Sequence, residues 1–149
     1  MPLTPQEMAR MLGDDFPAGD VDAQSLDEVR RRLVRTRLGR TVVTYSDLVS
    51  GIAFHHGTFW PQPHIIDTHD WTGLDRQMIG GVLAKLSVES LRRRGYLIGA
   101  LVVEKAEPKP SRVFFDWLYH TGVITDGSEA GYERFWVEQM NLAHADRNP

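Results

Sequence analysis

Read from Ser25 to Phe115, the chain runs helix, strand, helix, long connection, helix, strand, proline-bearing tip, strand. That order predicts an α+β domain with a winged helix-turn-helix-like centre and further helices at both ends. Two other observations point the same way. A chain of 149 residues, 42% hydrophobic and 25% charged, can bury one ordinary core. The segment Lys105–Ser111 (KAEPKPS) cannot continue a strand ladder, because Pro108 and Pro110 carry no N–H, and so it suits a hairpin tip. Residues 1–24 read as a helix plus acidic linker, and 25–149 as one winged domain with a C-terminal helical extension.

Each element has a local reason. Thr4 before Pro5 is a hydroxyl cap with Pro at the first helical position, and Gly13 ends that helix. Asp14–Ala23 is acidic and reads as a loose connection. Ser25 with Glu28 forms a capping-box pattern, Leu26, Val29, Leu33 and Val34 share a face, and Gly39 stops the helix. Thr41–Tyr45 is β-branched and aromatic, a short strand. Ser46–Phe54 reads as an amphipathic helix with Leu48, Val49 and Ile52 inward. His55–Trp71 reads as a long irregular connection. Thr72 caps the longest helix, Leu74–Arg94, with Leu74, Met78, Ile79, Val82, Leu83 and Leu86 as its buried stripe and Gly95 as its stop. Tyr96–Glu104 reads as the strongest strand. Arg112–Phe115 is either a third strand or the start of a helix through Trp117 and Leu118. Ser128 caps a last helix whose face carries Tyr132, Phe135, Trp136, Met140 and Ala143. There is no internal repeat and no low-complexity tract.

With no cysteine, disulfides, thiolate nucleophiles and Cys-based metal sites are excluded. Met1–Arg10 lacks an apolar core, and the longest apolar run, Leu97–Val103, is far short of the roughly 18 residues that span a bilayer, so a cytoplasmic protein without membrane contact is expected. The net charge of −3 conceals a pattern: residues 1–28 carry −6, residues 29–112 carry +7, and residues 113–149 carry −4. A basic middle between acidic ends suits a nucleic-acid-facing surface, or else a globule whose charges neutralise one another.

The stretch TVVTYSDLVSGI, then a helix beginning LDRQMIGGVLAKLS and the segment GYLIGALVVEK, resembles the DNA-binding winged domain of alkylguanine-DNA alkyltransferases and alkyltransferase-like proteins over about residues 41–105. Tyr45, Ser46, Asp47 and Leu48 match the family's T-[VS]-[ST]-Y-[GS]-[DE]-[LIV] segment. The recognition-helix pattern R-x-x-G is met loosely, since Arg76 is followed by Gly80. The reactive Pro-Cys-His-Arg segment has no counterpart, because Ala100-Leu101-Val102-Val103 stands there. The resemblance therefore implies a winged fold and DNA contact without alkyl transfer. The same order also resembles small uncharacterised bacterial and phage domains.

Nucleic-acid-binding candidates follow from this layout: Lys105, Lys109 and Arg112 in the wing, and Lys85, Arg92, Arg93 and Arg94 on the long helix. They would make phosphate contacts with steep salt dependence. Of the Arg run at 30–40, Arg31 and Arg32 have i,i+4 partners in Asp27 and Glu28. Arg30 and Arg37 are expected to lie along the surface, leaving Arg35 and Arg40 freer. Gly80 and Gly81 weaken a helix interior by about 1 kcal/mol each, which asks for a close partner, either the aromatic C-terminal helix or a DNA backbone.

The connection 55–71 holds four of the six histidines, with Phe59, Trp60 and Trp71. These aromatics are candidate anchors for a protein partner of immunity, antitoxin or adaptor type. His64, Asp67 and His69 are the candidate metal ligands of a metal-dependent hydrolase, although no H-E-x-x-H is present. Phosphate loops, dinucleotide fingerprints and nucleophile elbows are lacking, so no cofactor is expected and no enzyme class is indicated. Val102-Val103-Glu104-Lys105 does not make a nuclease strand, because adjacent residues face opposite sides. The leading expectation is a non-enzymatic nucleic-acid-binding or regulatory module. Exposed Trp136 or Tyr132 would also allow a homodimer.

Overall fold

The longest helix, α4 (Gly73–Arg94), is the spine of the computed structural model, which describes residues 2–149. Thr72 and Asp75 form a reciprocal capping box at its start, and Gly95 ends it in the left-handed conformation at φ +88°. Met78, Ile79, Val82, Leu83 and Leu86 enter one core, and Val88 and Leu91 enter a second. The chain is α+β, with mostly helices and two small sheets, and no helix among the described residues is long and apolar enough to cross a membrane.

α1 (Pro5–Leu12) starts at Thr4, as the cap predicts, and Glu7 completes a capping box there. The acidic stretch after it is seated on α4 through a 3-10 turn, Pro17–Gly19. This turn is the partner of the helix glycine. A Cβ at Gly81 would lie 2.7 Å from the Gly19 nitrogen, and one at Gly19 would lie 2.5 Å from the Gly81 oxygen. Neither the C-terminal helix nor a DNA backbone fills that role at Gly81. Gly80, by contrast, faces open space.

α2 (Ala23–Leu38) begins earlier than the Ser25 pattern indicates. Asp22 is the N-cap and accepts from the Ser25 N–H, while the buried Ser25 hydroxyl donates to the Ala53 carbonyl. Glu28 turns to Arg31 and Arg32 instead of closing a box. Arg31 pairs with Glu28, not Asp27, and Asp27 takes Arg30. Arg32 also donates to the carbonyls of Leu48 and Ser50, closing the end of the next helix. Arg37 does not lie along the surface but is 1% exposed. At the end of α2 the left-handed residue is Arg40, at φ +52°, rather than Gly39.

β1 (Val43–Thr44) is shorter than predicted, because the Thr44 hydroxyl accepts from the Asp47 N–H and starts α3 (Tyr45–Val49). The expected helix through Phe54 stops at Val49, and Gly51 at φ +75° turns the chain into β2 (Ala53–His56). The connection 55–71 is therefore not irregular. β2 pairs antiparallel with β3 (Trp60–Ile65), with a bulge between Phe54 and His56. Its tip is held by His56, whose Nδ1 accepts from the Thr58 and Phe59 N–H groups, so Nε2 carries the proton and donates to the Pro17 carbonyl at 2.9 Å. Pro61 and Pro63 sit in β3, where an edge position tolerates missing donors.

The expected strand Tyr96–Glu104 is a 3-10 turn (Ile98–Leu101) and a two-residue strand, β4 (Val102–Val103), parallel to β1. Side chains replace a ladder there: Gln139 accepts from the Leu97 N–H, the Ser87 hydroxyl accepts from the Gly99 N–H, and the Trp136 indole donates to the Ala100 carbonyl. Beyond β4 no third strand forms. The Glu104 N–H donates to the Lys109 carbonyl, and Ser111 then caps α5 (Arg112–His120). Lys105–Ser111 is thus a loop into a helix, not a tip between two strands, since two prolines break the ladder and Phe115 and Leu118 fit helical spacing into the core. α6 (Glu129–Ala145) starts at Ser128 as expected. Tyr132 stacks on Phe115 at 5.0 Å and is buried, and Trp136 is half-buried, so neither offers the exposed dimer face expected of them.

Candidate functional site

The basic residues singled out from the sequence are mostly matched by carboxylates from the acidic ends. Lys85 meets Asp20 at 2.9 Å, Arg92 meets Asp14, Arg93 meets Glu89 at 3.2 Å, and Arg94 meets Asp146 at 3.0 Å. Lys109 meets Glu107 at 3.1 Å, and the hydrogen bond to that carboxylate raises its ammonium above the ordinary lysine range. Arg112 meets Glu129 and Asp116 and lies 4.9 Å from the centre of the Tyr132 ring. Glu104 and Glu133 line the same recess as Lys109 and Arg112, so that patch has no positive excess. Lys105 is the exception: it makes no ion pair among the described residues.

Lys105 stands on the rim of a cleft of about 440 Å³ between β1–α3, the first two turns of α4 and the segment from residue 104 to the start of α5. That size falls within the ~300–1,000 Å³ of small-molecule sites. The parallel pairing of Val43 with Val102 and Thr44 with Val103 sets Tyr45 beside Glu104 and Lys105. Two aromatic side chains line the cleft, each fixed by a hydrogen bond. The Tyr45 hydroxyl accepts from the Ser111 N–H at 3.1 Å, and the Trp71 indole donates to the Ser46 hydroxyl at 3.2 Å. Burial pushes the Tyr45 phenol above its usual range, so it remains neutral at physiological pH. From α4 come Arg76, Gln77 and Gly80, all exposed, with buried Ile79 as floor. Arg76, like Lys105, has no ion pair among the described residues. Val113, 75% exposed, adds an apolar lip.

The aromatic candidates separate in space. Trp60 is core, packed on Phe54 and stacked on the His64 ring at 4.7 Å. Phe59 is exposed at the hairpin tip, over His56, and only Trp71 reaches the cleft. The metal candidates also diverge. His64 donates from Nε2 to buried Asp75 at 2.8 Å, tying the hairpin to the start of α4, whereas Asp67 accepts from the His69 N–H in a turn. Among the described residues no group of three or more His, Asp or Glu is placed to hold a metal ion. Comparison of the chain with family models, curated proteins and solved structures returns no match.

Arg76, Gln77 and Gly80 fall outside the apolar stripe of α4, and that is the signal in the sequence for one wall of the cleft. The other wall, from Glu104 to Val113, depends on the parallel pairing of β1 with β4, which carries no local mark.

Proposed function

We propose that this chain is a nucleic-acid-binding module, acting through the cleft at the N-terminal end of α4 rather than through a wing and the C-terminal end of that helix. What carries the reading is the unpaired state of Arg76 and Lys105 on the rim of a cleft lined by two immobilised aromatic side chains. A phosphate gains most from cations that no carboxylate already satisfies, and an unstacked base gains most from an aromatic surface ordered beforehand. Arg76, Gln77 and Gly80 are exposed in the first turns of α4, the part of a recognition helix that meets nucleic acid. The resemblance over residues 41–105 agrees with this class of ligand, and the missing reactive cysteine leaves binding without alkyl transfer.

The test is fluorescence anisotropy with a labelled random duplex and the corresponding single strand at two salt concentrations. Binding should fall steeply with salt, and R76E and K105E should each flatten the log–log slope by roughly 0.7–0.9. Trp71→Ala should weaken single-strand binding by about 1–3 kcal/mol, the usual contribution of one stacked base. Lys109→Gln, at a neutralised patch, should change little. No binding at low salt, or binding indifferent to both charge reversals, would overturn the reading. The exposed Phe59 and Ile65 on the hairpin (40% and 59%) would then become the place to seek a protein partner, recognisable by a salt-insensitive complex.

A further inference from the structure

The cleft of Arg76 and Lys105 carries a second regularity, in its hydroxyl groups. Thr44, Tyr45, Ser46 and Ser111 all line it, and all four are half-buried. Each hydroxyl oxygen accepts from a protein N–H: Thr44 from Asp47, Tyr45 from Ser111, Ser46 from the Trp71 indole and Ser111 from Phe114. None of the four donates its own proton to a protein acceptor among the described residues. The Tyr45 phenol, kept protonated by its burial, retains that donor at physiological pH. A capping hydroxyl on open surface leaves its proton to water, but four gathered around one cleft over buried Ile79 make a donor-rich edge.

Side-chain acceptors are few by comparison. Gln77 brings one amide oxygen, and Glu104 a carboxylate that makes no ion pair among the described residues. The occupant that suits this edge is a flat ring with oxygens turned to the hydroxyls and an N–H for one of the two acceptors. Resting on the nucleic-acid reading of the cleft, we propose that it selects the imide bases thymine and uracil, with Tyr45 and Ser46 as specificity-determining residues. The two ring carbonyl oxygens take hydroxyl protons, and the N3–H between them donates to Glu104 or Gln77. Cytosine and adenine set an amino group where the cleft already offers donors, and guanine brings an amino group with a single carbonyl. Such a mismatch leaves donors unpaired on both sides, which is how a hydrogen-bonding site rejects an analogue of the right shape.

The experiment is fluorescence anisotropy at low salt with the full chain and a labelled strand carrying one base in an otherwise abasic backbone. Thymine should bind about five- to tenfold more tightly than 5-methylcytosine, which keeps the shape but exchanges an oxygen for an amino group and loses the N3 proton. With no neighbouring bases, stacking within the free strand plays no part in the difference. Tyr45→Phe and Ser46→Ala should each shrink the ratio, and the double variant should bring it to about one. Loosening of Trp71 in S46A, or a partly unfolded fraction in either variant, weakens both bases alike and leaves the ratio unaffected. Uracil bound as tightly as thymine would identify the imide edge alone as what is read, and weaker uracil binding would add a contact of the thymine methyl with Val113 on the lip. Salt-sensitive binding without preference, or a preference unchanged in both variants, would overturn this assignment and leave the nucleic-acid reading standing. No binding of any strand at low salt would overturn both.

Discussion

Gly80 and Gly81 are chemically identical neighbours in one helix, and the structure predicts opposite outcomes when each becomes alanine. At Gly80 a Cβ meets nothing within 4 Å, so Ala contributes only its better helix propensity, a gain of about 0.5–1 kcal/mol. At Gly81 the same Cβ would sit 2.7 Å from the Gly19 nitrogen and 2.9 Å from Ala18. The nearest obstacle is backbone, which no rotamer change can clear. Overpacking of this sort costs about 1–3 kcal/mol, and a rigid backbone obstacle belongs in the upper half of that range. Subtracting the propensity gain of about 1 kcal/mol leaves G81A less stable than the parent by roughly 1–2 kcal/mol. The two variants should therefore differ by about 2–3 kcal/mol, or roughly 4–12 °C in Tm for a chain of this size. Urea denaturation followed by tryptophan fluorescence, with the m-value unchanged, measures the difference directly. Equal stability of G80A and G81A would refute the close approach of the 3-10 turn to α4, and with it the seating of the N-terminal segment on that helix.

Asp75, which accepts from the Thr72 N–H and from His64, is held below the ordinary aspartate range, because these hydrogen bonds outweigh a burial contribution that acts to raise it. Its folded-state pKa is lower than its unfolded one, so its contribution to stability is present above about pH 4 and is lost as pH falls through the folded value. Asp75→Ala should cost about 2 kcal/mol near neutrality, a deficit that shrinks when denaturation is repeated in acid, and a deficit independent of pH would contradict the assignment. Arg37→Ala removes a buried donor from the Asp146 carboxylate and from two carbonyls, while Tyr96 and Arg94 still hold the carboxylate, and should destabilise the fold by about 2–3 kcal/mol. The same variant should speed proteolysis near residue 146, and unaltered cleavage there would show that the seating of segment 146–149 does not depend on Arg37.

Much of the helical framework was legible from short-range chemistry. Thr4, Thr72 and Ser128 start helices where their hydroxyls predict, Gly95 stops α4, and the stripe from Leu74 to Leu86 faces the core. The short elements were misread for identifiable reasons. Ser46–Phe54 satisfies helical spacing, but Gly51 adopts a positive φ and releases Phe54 into a hairpin. Tyr96–Glu104 is apolar enough for a strand, yet Gln139, Ser87 and Trp136 supply its hydrogen bonds from other helices, so no ladder is needed. Of the candidate site, Arg76, Gln77, Trp71 and Lys105 were visible as residues but not as neighbours.

Caps, stops and amphipathic faces are contacts between residues about three or four apart, and sequence alone determined them, together with the α+β class and the exclusion of cysteine chemistry. Tertiary structure decided which charges remain free. Lys85 finds Asp20 across 65 positions and Arg37 finds Asp146 across 109. Such pairings follow from how helices pack, and no local pattern announces them. The +7 of the middle segment is accordingly consumed by its own acidic ends at most of the positions that looked basic. Arg76 and Lys105 stay unpaired on the cleft rim, because the packing that forms the cleft brings no carboxylate within ion-pair distance of either among the described residues.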